Sequence, residues 1–289
     1  MSKAPTPKKV IITGASGAIG QNLVPIMLSN GYEVQAVTRD LENARNLKWF
    51  KDVNFVQMDI NQTSDGLDVN SETGIIHLAW QGLPNYKSEF HIGSNLPSNY
   101  NFLKALIERG ARHVLVSGTC AEYGMQCGKI KSSAPTHPNT QYAYAKDSLH
   151  KQLRFLQQQH DFILKWARIF YIYDQVGRRT NSIISQLNKA IDSKEEDFNM
   201  SGGEQLRDYL TVEEVAQQLF YLFEDYHDGA FNICSGEPIS IRRLVENHIK
   251  KRKSNIRINL GFYPYPDYEP MAFWGERDVS KSKGQQSSS

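Results

Sequence analysis

The run "VIITGASGAIGQNL", Val10 to Leu23, constrains the fold of this 289-residue chain more than any other stretch. An apolar, β-branched segment passes at once into Gly14, Gly17 and Gly20, and then into residues that suit a helix. Glycine, lacking Cβ, lets the backbone turn tightly and approach a ligand closely, while a helix N-terminus offers N–H donors and a partial positive charge. Glycines at this spacing are a weak signal alone, and a plain glycine-rich turn is the alternative. The strand–turn–helix context favours a pyrophosphate-binding turn at the head of a βαβ unit.

The rest of the chain continues that pattern. "KKVIIT" (8–13), "YEVQAV" (32–37), "VNFVQM" (53–58), "GIIHLAW" (74–80), "HVLVSG" (113–118), "FILKWARIF" (162–170) and "AFNICSG" (230–236) read as strands. Their near-continuous apolar character suits a parallel sheet covered on both faces. Segments 18–30, 95–109, 140–159 and 211–226 read as helices. Alternation of this kind predicts an α/β fold, a Rossmann-like doubly wound parallel sheet. Pro25 lies inside the first helix and predicts a bend there. Beyond about residue 170 the aromatic-, Gly- and Pro-rich segments predict a smaller C-terminal substrate-binding lobe. The expected division is 1–172 with 207–236 returning to the sheet, 173–206 and 237–280 as the lobe, and 281–289 as a disordered tail.

Composition excludes several classes. A net charge of +2, with interspersed charges, lacks the basic stripe of a nucleic-acid binder. "KKRK" at 250–253 reads as a solvated helix end. Three cysteines, Cys120, Cys127 and Cys234, form neither a disulfide framework nor a zinc pattern, which suits a cytoplasmic location. No apolar run reaches the length of a membrane span, and no metal is expected. His77 reads as a core histidine beside the cofactor.

The dinucleotide would meet Gly14, Ser16, Gly17, Ala18, Ile19 and Gly20 at the turn, with Leu78, Ala79 and Trp80 after the fourth strand. Asp59 and Ile60, after the third strand, would meet the adenine edge. At the tip of the second strand stand Thr38 and Arg39. A neutral residue followed by a cation favours NADP(H), while Asp40 one step on keeps NAD(H) as the alternative.

"TQYAYAK", 140–146, places Tyr142 and Lys146 one helical turn apart on the same face. A neighbouring ammonium is expected to lower the phenol's pKa and make Tyr142 a proton-transfer group. Together with the glycine turn and "VSGTCAEYG" after the fifth strand, this pair resembles the extended short-chain dehydrogenase/reductases, in the NAD-dependent epimerase/dehydratase group that acts on nucleotide sugars. "ARIFYIYD", "MSGGEQLRDYLTVEEVA" and "FNICSG" are similar to further stretches of that family, in the same order.

The resemblance implies Tyr142 as acid/base, Lys146 as its partner and ribose ligand, and Thr119 as the hydroxyl that bonds the reacting sugar oxygen. It implies that Arg207 grips a diphosphate, a salt bridge to Asp208 being the alternative. Gln81, Cys120 and Tyr171 would line the sugar pocket, with the Cys120 thiol more simply a buried small residue. Tyr265 and Trp274 would stack on the base or belong to the lobe core. A homodimer through the helices at 95–109 and 140–159 is a further implication.

In 4,6-dehydratases of this family an Asp-Glu pair follows the hydroxyl residue, whereas Cys120 and Ala121 follow Thr119 here. Elimination therefore lacks its acid and base. The expected activity is reduction of a nucleotide-linked 4-keto-6-deoxyhexose in deoxysugar, O-antigen-type polysaccharide synthesis. An NAD-dependent 4-epimerase is the alternative, and a catalytically silent dinucleotide-binding regulator is the rival from another class.

Overall fold

The computed structural model describes residues 7–173, 182–225 and 227–278. The first half comprises β1 (Lys9–Thr13), α1 (Ala18–Ser29), β2 (Glu33–Thr38), α2 (Leu41–Ala44), β3 (Asn54–Gln57), β4 (Thr73–His77), α3 (Leu96–Glu108), β5 (His113–Thr119), β6 (Gly128–Ile130), α4 (Gln141–Leu156) and β7 (Ile163–Ile169). The second comprises β8 (Tyr171–Tyr173), α5 (Ile183–Asp192), β9 (Asp197–Asn199), β10 (Leu206–Thr211), α6 (Val212–Glu224), β11 (Gly229–Ile233), β12 (Pro238–Ser240), α7 (Ile241–Arg252), β13 (Arg257–Asn259) and β14 (Ala272–Gly275).

Seven strands form one parallel sheet in the order β11-β7-β5-β4-β1-β2-β3. Ile12 of β1 lies between Ala36 and Ile76, so apolar side chains stack along each face. One face is covered by α1 and α6 through Leu23, Met27, Leu219 and Phe223, the other by α3 and α4 through Leu103, Leu106, Leu149 and Leu153. Every strand of this sheet is one the sequence pattern predicts, including the return of β11. The strand order reverses beside β1, and a doubly wound sheet opens its ligand crevice above the strand C-termini at that point.

A second sheet runs β12-β10-β14-β6, with β8 also paired to β10. Beside it α5, α7, β9 and β13 enclose a separate cluster around Leu187, Phe198 and Val245. The basic run at 250–253, read as a helix end, closes α7, while α5 and the short strands have no counterpart in the sequence pattern, three-residue strands being set by pairing across the fold. Residues 174–181 of the aromatic segment and the tail 281–289 lie outside the described residues.

α1 continues through Pro25 as one element. Pro25 has no N–H for the carbonyl of Gln21, four residues earlier, and the Trp49 indole Nε1 donates to that oxygen at 3.3 Å instead. Trp49→Phe should therefore cost about 1 kcal/mol in urea unfolding. The cost should shrink when Pro25→Ala restores the helix's own donor.

Candidate active site

The glycine turn between β1 and α1 is shaped by close backbone approach. Gly14 holds φ of +69°, and a Cβ there would stand 3.0 Å from the Ala79 nitrogen. A Cβ on Gly20 would lie 2.4 Å from the Gly14 oxygen and 2.5 Å from that of Ala15. Gly17 is the N-cap of α1; no side chain caps the helix and no acidic residue occupies its first turn. The N-terminal end of α1, with its partial positive charge, therefore borders the cleft with no protein anion upon it, as an anion site requires.

A cleft of ≈ 710 Å³ begins at this turn, lined by Gly14, Gly17, Ala18, Ile19 and Gly20 and then by Leu78 and Trp80. Of the other residues expected at the cofactor, the Ser16 hydroxyl bonds that of Thr38 at 2.9 Å, tying the turn to the tip of β2. Arg39 is exposed, and Asp40 caps α2 by accepting from the Asn43 nitrogen at 3.0 Å. Asp59 accepts from the Asn61 nitrogen at 3.1 Å, and Ile60 is buried.

His77 is in the core, as expected. Its Nδ1 meets the Thr13 hydroxyl at 2.9 Å and its Nε2 meets Asn99 Oδ1 at 2.7 Å. Asn99 donates onward to the Asn95 carbonyl at 2.7 Å, and Asn95 to the Gln81 carbonyl at 2.9 Å. The Ala79 nitrogen donates to Thr13 Oγ1 at 3.3 Å. Those roles assign the proton to His77 Nε2. Burial, aided by the Lys146 charge, lowers the imidazole to about 3, so it is a neutral brace for residues 79–81.

Further along the cleft stand Thr119, Tyr142 and Lys146, all buried. Thr140 caps α4 by accepting from the Ala143 nitrogen at 3.2 Å, which directs the first turn of that helix, with Tyr142, into the cleft. The Tyr142 nitrogen donates to the Tyr86 carbonyl at 3.0 Å, and the two rings lie 5.6 Å apart. Lys146 Nζ donates to the Ser117 carbonyl at 2.7 Å and lies 4.1 Å from the centre of the Trp80 ring.

The proton balance differs from the expectation of a phenol acidified by its lysine. Burial pushes the Tyr142 hydroxyl up, and only the neighbouring Thr119 side chain acts the other way. Burial also lowers Lys146 to about 7. Two groups that shed water together each favour the uncharged form, and the ammonium is engaged with a carbonyl and an aromatic face.

Thr119 is held by a residue the sequence reading passed over. Glu122, in the one-turn helix after β5, accepts from the Thr119 nitrogen at 2.8 Å, while the Thr119 hydroxyl accepts from the Ala121 nitrogen at 3.3 Å. Thr-x-x-Glu is a capping-box spacing, so a signal was present. The same carboxylate accepts from Trp166 Nε1 at 3.0 Å and from Arg168 Nε at 2.7 Å, both on β7.

The remaining predicted residues divide. Cys120, Tyr171 and Arg207 line the cleft, joined by Tyr86, Tyr268 and Glu269, which no local pattern marks. Burial raises the Cys120 thiol, in keeping with a packed small residue. Arg207 pairs with Glu269 at 2.9 Å, its guanidinium 5.3 Å from the centre of the Tyr171 ring. Asp208, the alternative partner, instead accepts from backbone nitrogens of Ser235, Gly236 and Gly275. Gln81 is not part of the cleft wall. Tyr265 bonds Glu204 and Trp274 sits in β14, so neither lines the cleft. Among the described residues no cluster of His, Cys, Asp or Glu is placed to hold a metal, and no helix is long and apolar enough to cross a membrane.

A doubly wound sheet, a glycine turn at its switch point and a Tyr/Lys/Thr group in the same cleft define a dinucleotide-dependent enzyme of the extended short-chain dehydrogenase/reductase kind. The chain belongs to the NAD dependent epimerase/dehydratase family, which matches residues 10–234. It is 30% identical over 270 residues to a dTDP-6-deoxy-L-talose 4-dehydrogenase (NAD(+)) of Aggregatibacter actinomycetemcomitans, covering 93% of this chain and 99% of that protein. In fold it is similar to the UDP-N-acetylglucosamine 4-epimerase from Methanobrevibacter ruminantium M1 in complex with UDP-N-acetylmuramic acid, with TM-score 0.80, 22% identity and coverage of 93% and 90%. It is likewise similar to MoeE5 in complex with UDP-glucuronic acid and NAD, with TM-score 0.78, 23% identity and coverage of 93% and 90%. The names of the talose dehydrogenase and of the MoeE5 complex carry NAD, and the expected preference for NADP(H) gains no support from them.

Glu122→Ala would leave the Arg168 charge buried without its partner and should lower unfolding stability by about 3–5 kcal/mol, measured by urea titration. Lys146 ordinarily titrates at 10.5 and falls to about 7 in the fold. Between those values the unfolded chain holds a proton that the folded chain does not, so stability of the ligand-free protein should rise with pH from about 7 to 9, above which the raised Cys120 and Cys234 thiols act the other way. Lys165, lowered to about 8, adds in the same direction. Lys146→Met should therefore flatten part of the rise in denaturation curves taken across that window.

Proposed function

We propose that this protein exchanges a 4-ketone and a 4-hydroxyl on a nucleotide-linked 6-deoxyhexose, with reduction of the 4-keto sugar as the expected direction. The observation that carries the reading is that Thr119, Tyr142 and Lys146 line the same cleft that starts at the glycine turn. The name of the 30%-identical relative supports it, since 4-dehydrogenation and 4-keto reduction are one reaction read in two directions.

Gly14, Gly17, Ala18, Ile19 and Gly20 would hold the pyrophosphate of a nicotinamide dinucleotide and Lys146 its ribose, and the bound group would supply or accept the hydride. We take NAD(H) as that cofactor, because the relative's name carries it; Arg39 at the β2 tip is the residue that would admit NADP(H). As hydride adds to C4, the sugar oxygen gains negative charge and needs a proton. Tyr142, kept protonated by burial, is in the right form to donate it from Oη. Thr119 Oγ1 bonds the same oxygen, and Arg207 takes the diphosphate. Cys120 and Ala121 offer no acid–base pair for water elimination, which sets a dehydratase aside. We also take 173–206 and 237–280 as the substrate lobe, and the helix faces of α3 and α4 as the contact of a homodimer.

Tyr142→Phe should lower turnover of a dTDP-4-keto-6-deoxyhexose by about 10²–10⁴-fold, followed by NADH or NADPH absorbance, with cofactor affinity near wild type. Near-normal turnover would refute the assignment. Interconversion of 4-hydroxyl epimers with no net cofactor consumption would favour the epimerase reading.

A further inference from the structure

Arg207 enters the cleft from β10 with its side chain fully buried. Nη1 donates to the Leu206 carbonyl at 2.9 Å, Nη2 donates to Glu269 at 2.9 Å, and Nε is buried without a partner. Glu269 is 62 residues away in sequence and belongs to the segment preceding β14. That segment is fastened across the cleft mouth: Asp267 pairs with Lys87 at 3.3 Å and Asn139 donates to the Tyr268 carbonyl at 3.2 Å. The Glu269 carboxylate, about one-quarter exposed at 26%, is thus held against the guanidinium from the solvent side.

Two anions at one guanidinium repel, and a buried guanidinium favours having one partner over having none. We propose that Glu269 is a specificity-determining residue of the cleft, a resident anion on Arg207 that the diphosphate of a nucleotide sugar displaces. The inference rests on the reading of Arg207 as the diphosphate ligand. The buried Nε, without a partner, is a donor that a phosphate oxygen can satisfy once Glu269 has moved off the guanidinium. Small anions, lacking contacts elsewhere in the cleft, do not displace the carboxylate, whereas a ligand that also fills the base and sugar regions does. Product release is helped by the same carboxylate returning.

If the guanidinium is open about one-tenth of the time, apparent affinity for the diphosphate is reduced about tenfold from its intrinsic value. The test is the affinity of dTDP for the 289-residue chain, by calorimetry or tryptophan fluorescence, in Glu269→Gln, Asp161→Asn, Arg207→Gln and the Arg207→Gln/Glu269→Gln double variant. Glu269→Gln should bind dTDP about tenfold more tightly. Without ligand it should melt at a lower temperature than wild type, and it should gain more from saturating dTDP. Asp161→Asn, at an exposed carboxylate between α4 and β7, makes the same change of net charge but leaves Arg207 paired, so its dTDP affinity should stay within about twofold of wild type.

Unchanged or weaker dTDP binding by Glu269→Gln would overturn the proposal, as would a gain that persists in the double variant. Arg207→Gln tests the underlying reading separately. If it binds dTDP as wild type does, Arg207 is not the diphosphate ligand, whatever Glu269 does. Should Arg207→Gln fail to fold, Glu269→Gln against Asp161→Asn still decides the proposal.

Discussion

The Glu122 carboxylate is the tie on which the reacting end of the cleft depends. It is fully buried, and burial raises its pKa, yet it is surrounded by donors from three places: the Thr119 nitrogen, the Trp166 indole and the Arg168 guanidinium. Arg168 then reaches the Tyr123 hydroxyl and the Ser132 carbonyl, and Tyr123 bonds Asn232 on β11 at 2.6 Å. Asn232 closes the circuit by donating to the Ile130 carbonyl of β6 at 2.9 Å. One charge pair thereby joins the C-terminal ends of β5, β7 and β11 to the second sheet. A network of this sort rigidifies only when every member is satisfied. Gly118 completes the fit, because a Cβ there would stand 2.3 Å from Trp166 Nε1.

Above that base, dehydration sets the chemistry. The Tyr142 hydroxyl is raised, Lys146 is lowered to about 7 and His77 is lowered to about 3, burial leading in each case. A site with these side chains rests close to neutrality and gains its charges from what it binds. The protonated phenol suits proton donation to a ketone oxygen, and the Thr119 hydroxyl beside it supplies the second hydrogen bond. Arg207 follows a different rule. It cannot lose its proton, so the fold provides Glu269 as a carboxylate partner.

Much of the parallel sheet was legible in the sequence because strands buried on both faces must be apolar throughout. "VIIT", "IIH" and "VLV" leave little room for another reading. Gly14, Gly17 and Gly20 were legible for a steric reason, being positions where φ or a backbone contact within 3.1 Å restricts a side chain. Glu122 was half legible: its capping-box spacing to Thr119 is local, but its pairing with Arg168 joins residues 46 apart. The bend foreseen at Pro25 illustrates the opposite case. The local rule identified the missing hydrogen bond, but the donor that takes its place, Trp49, comes from 28 residues beyond Gln21.

Order along the chain by itself determined the strands of the sheet, the glycine turn after the first of them and the pairing of Tyr142 with Lys146 on one helix face, because each depends on spacing within one element or between neighbours. Only the tertiary structure decided the ionisation of that pair, since burial is a property of everything packed around it. It alone placed Glu269 on Arg207, drew Tyr86 and Tyr268 into the cleft, and left Gln81, Tyr265 and Trp274 out of its walls. Contacts across 60 or more residues have no periodicity to read. They exist only once the two sheets have brought distant segments together.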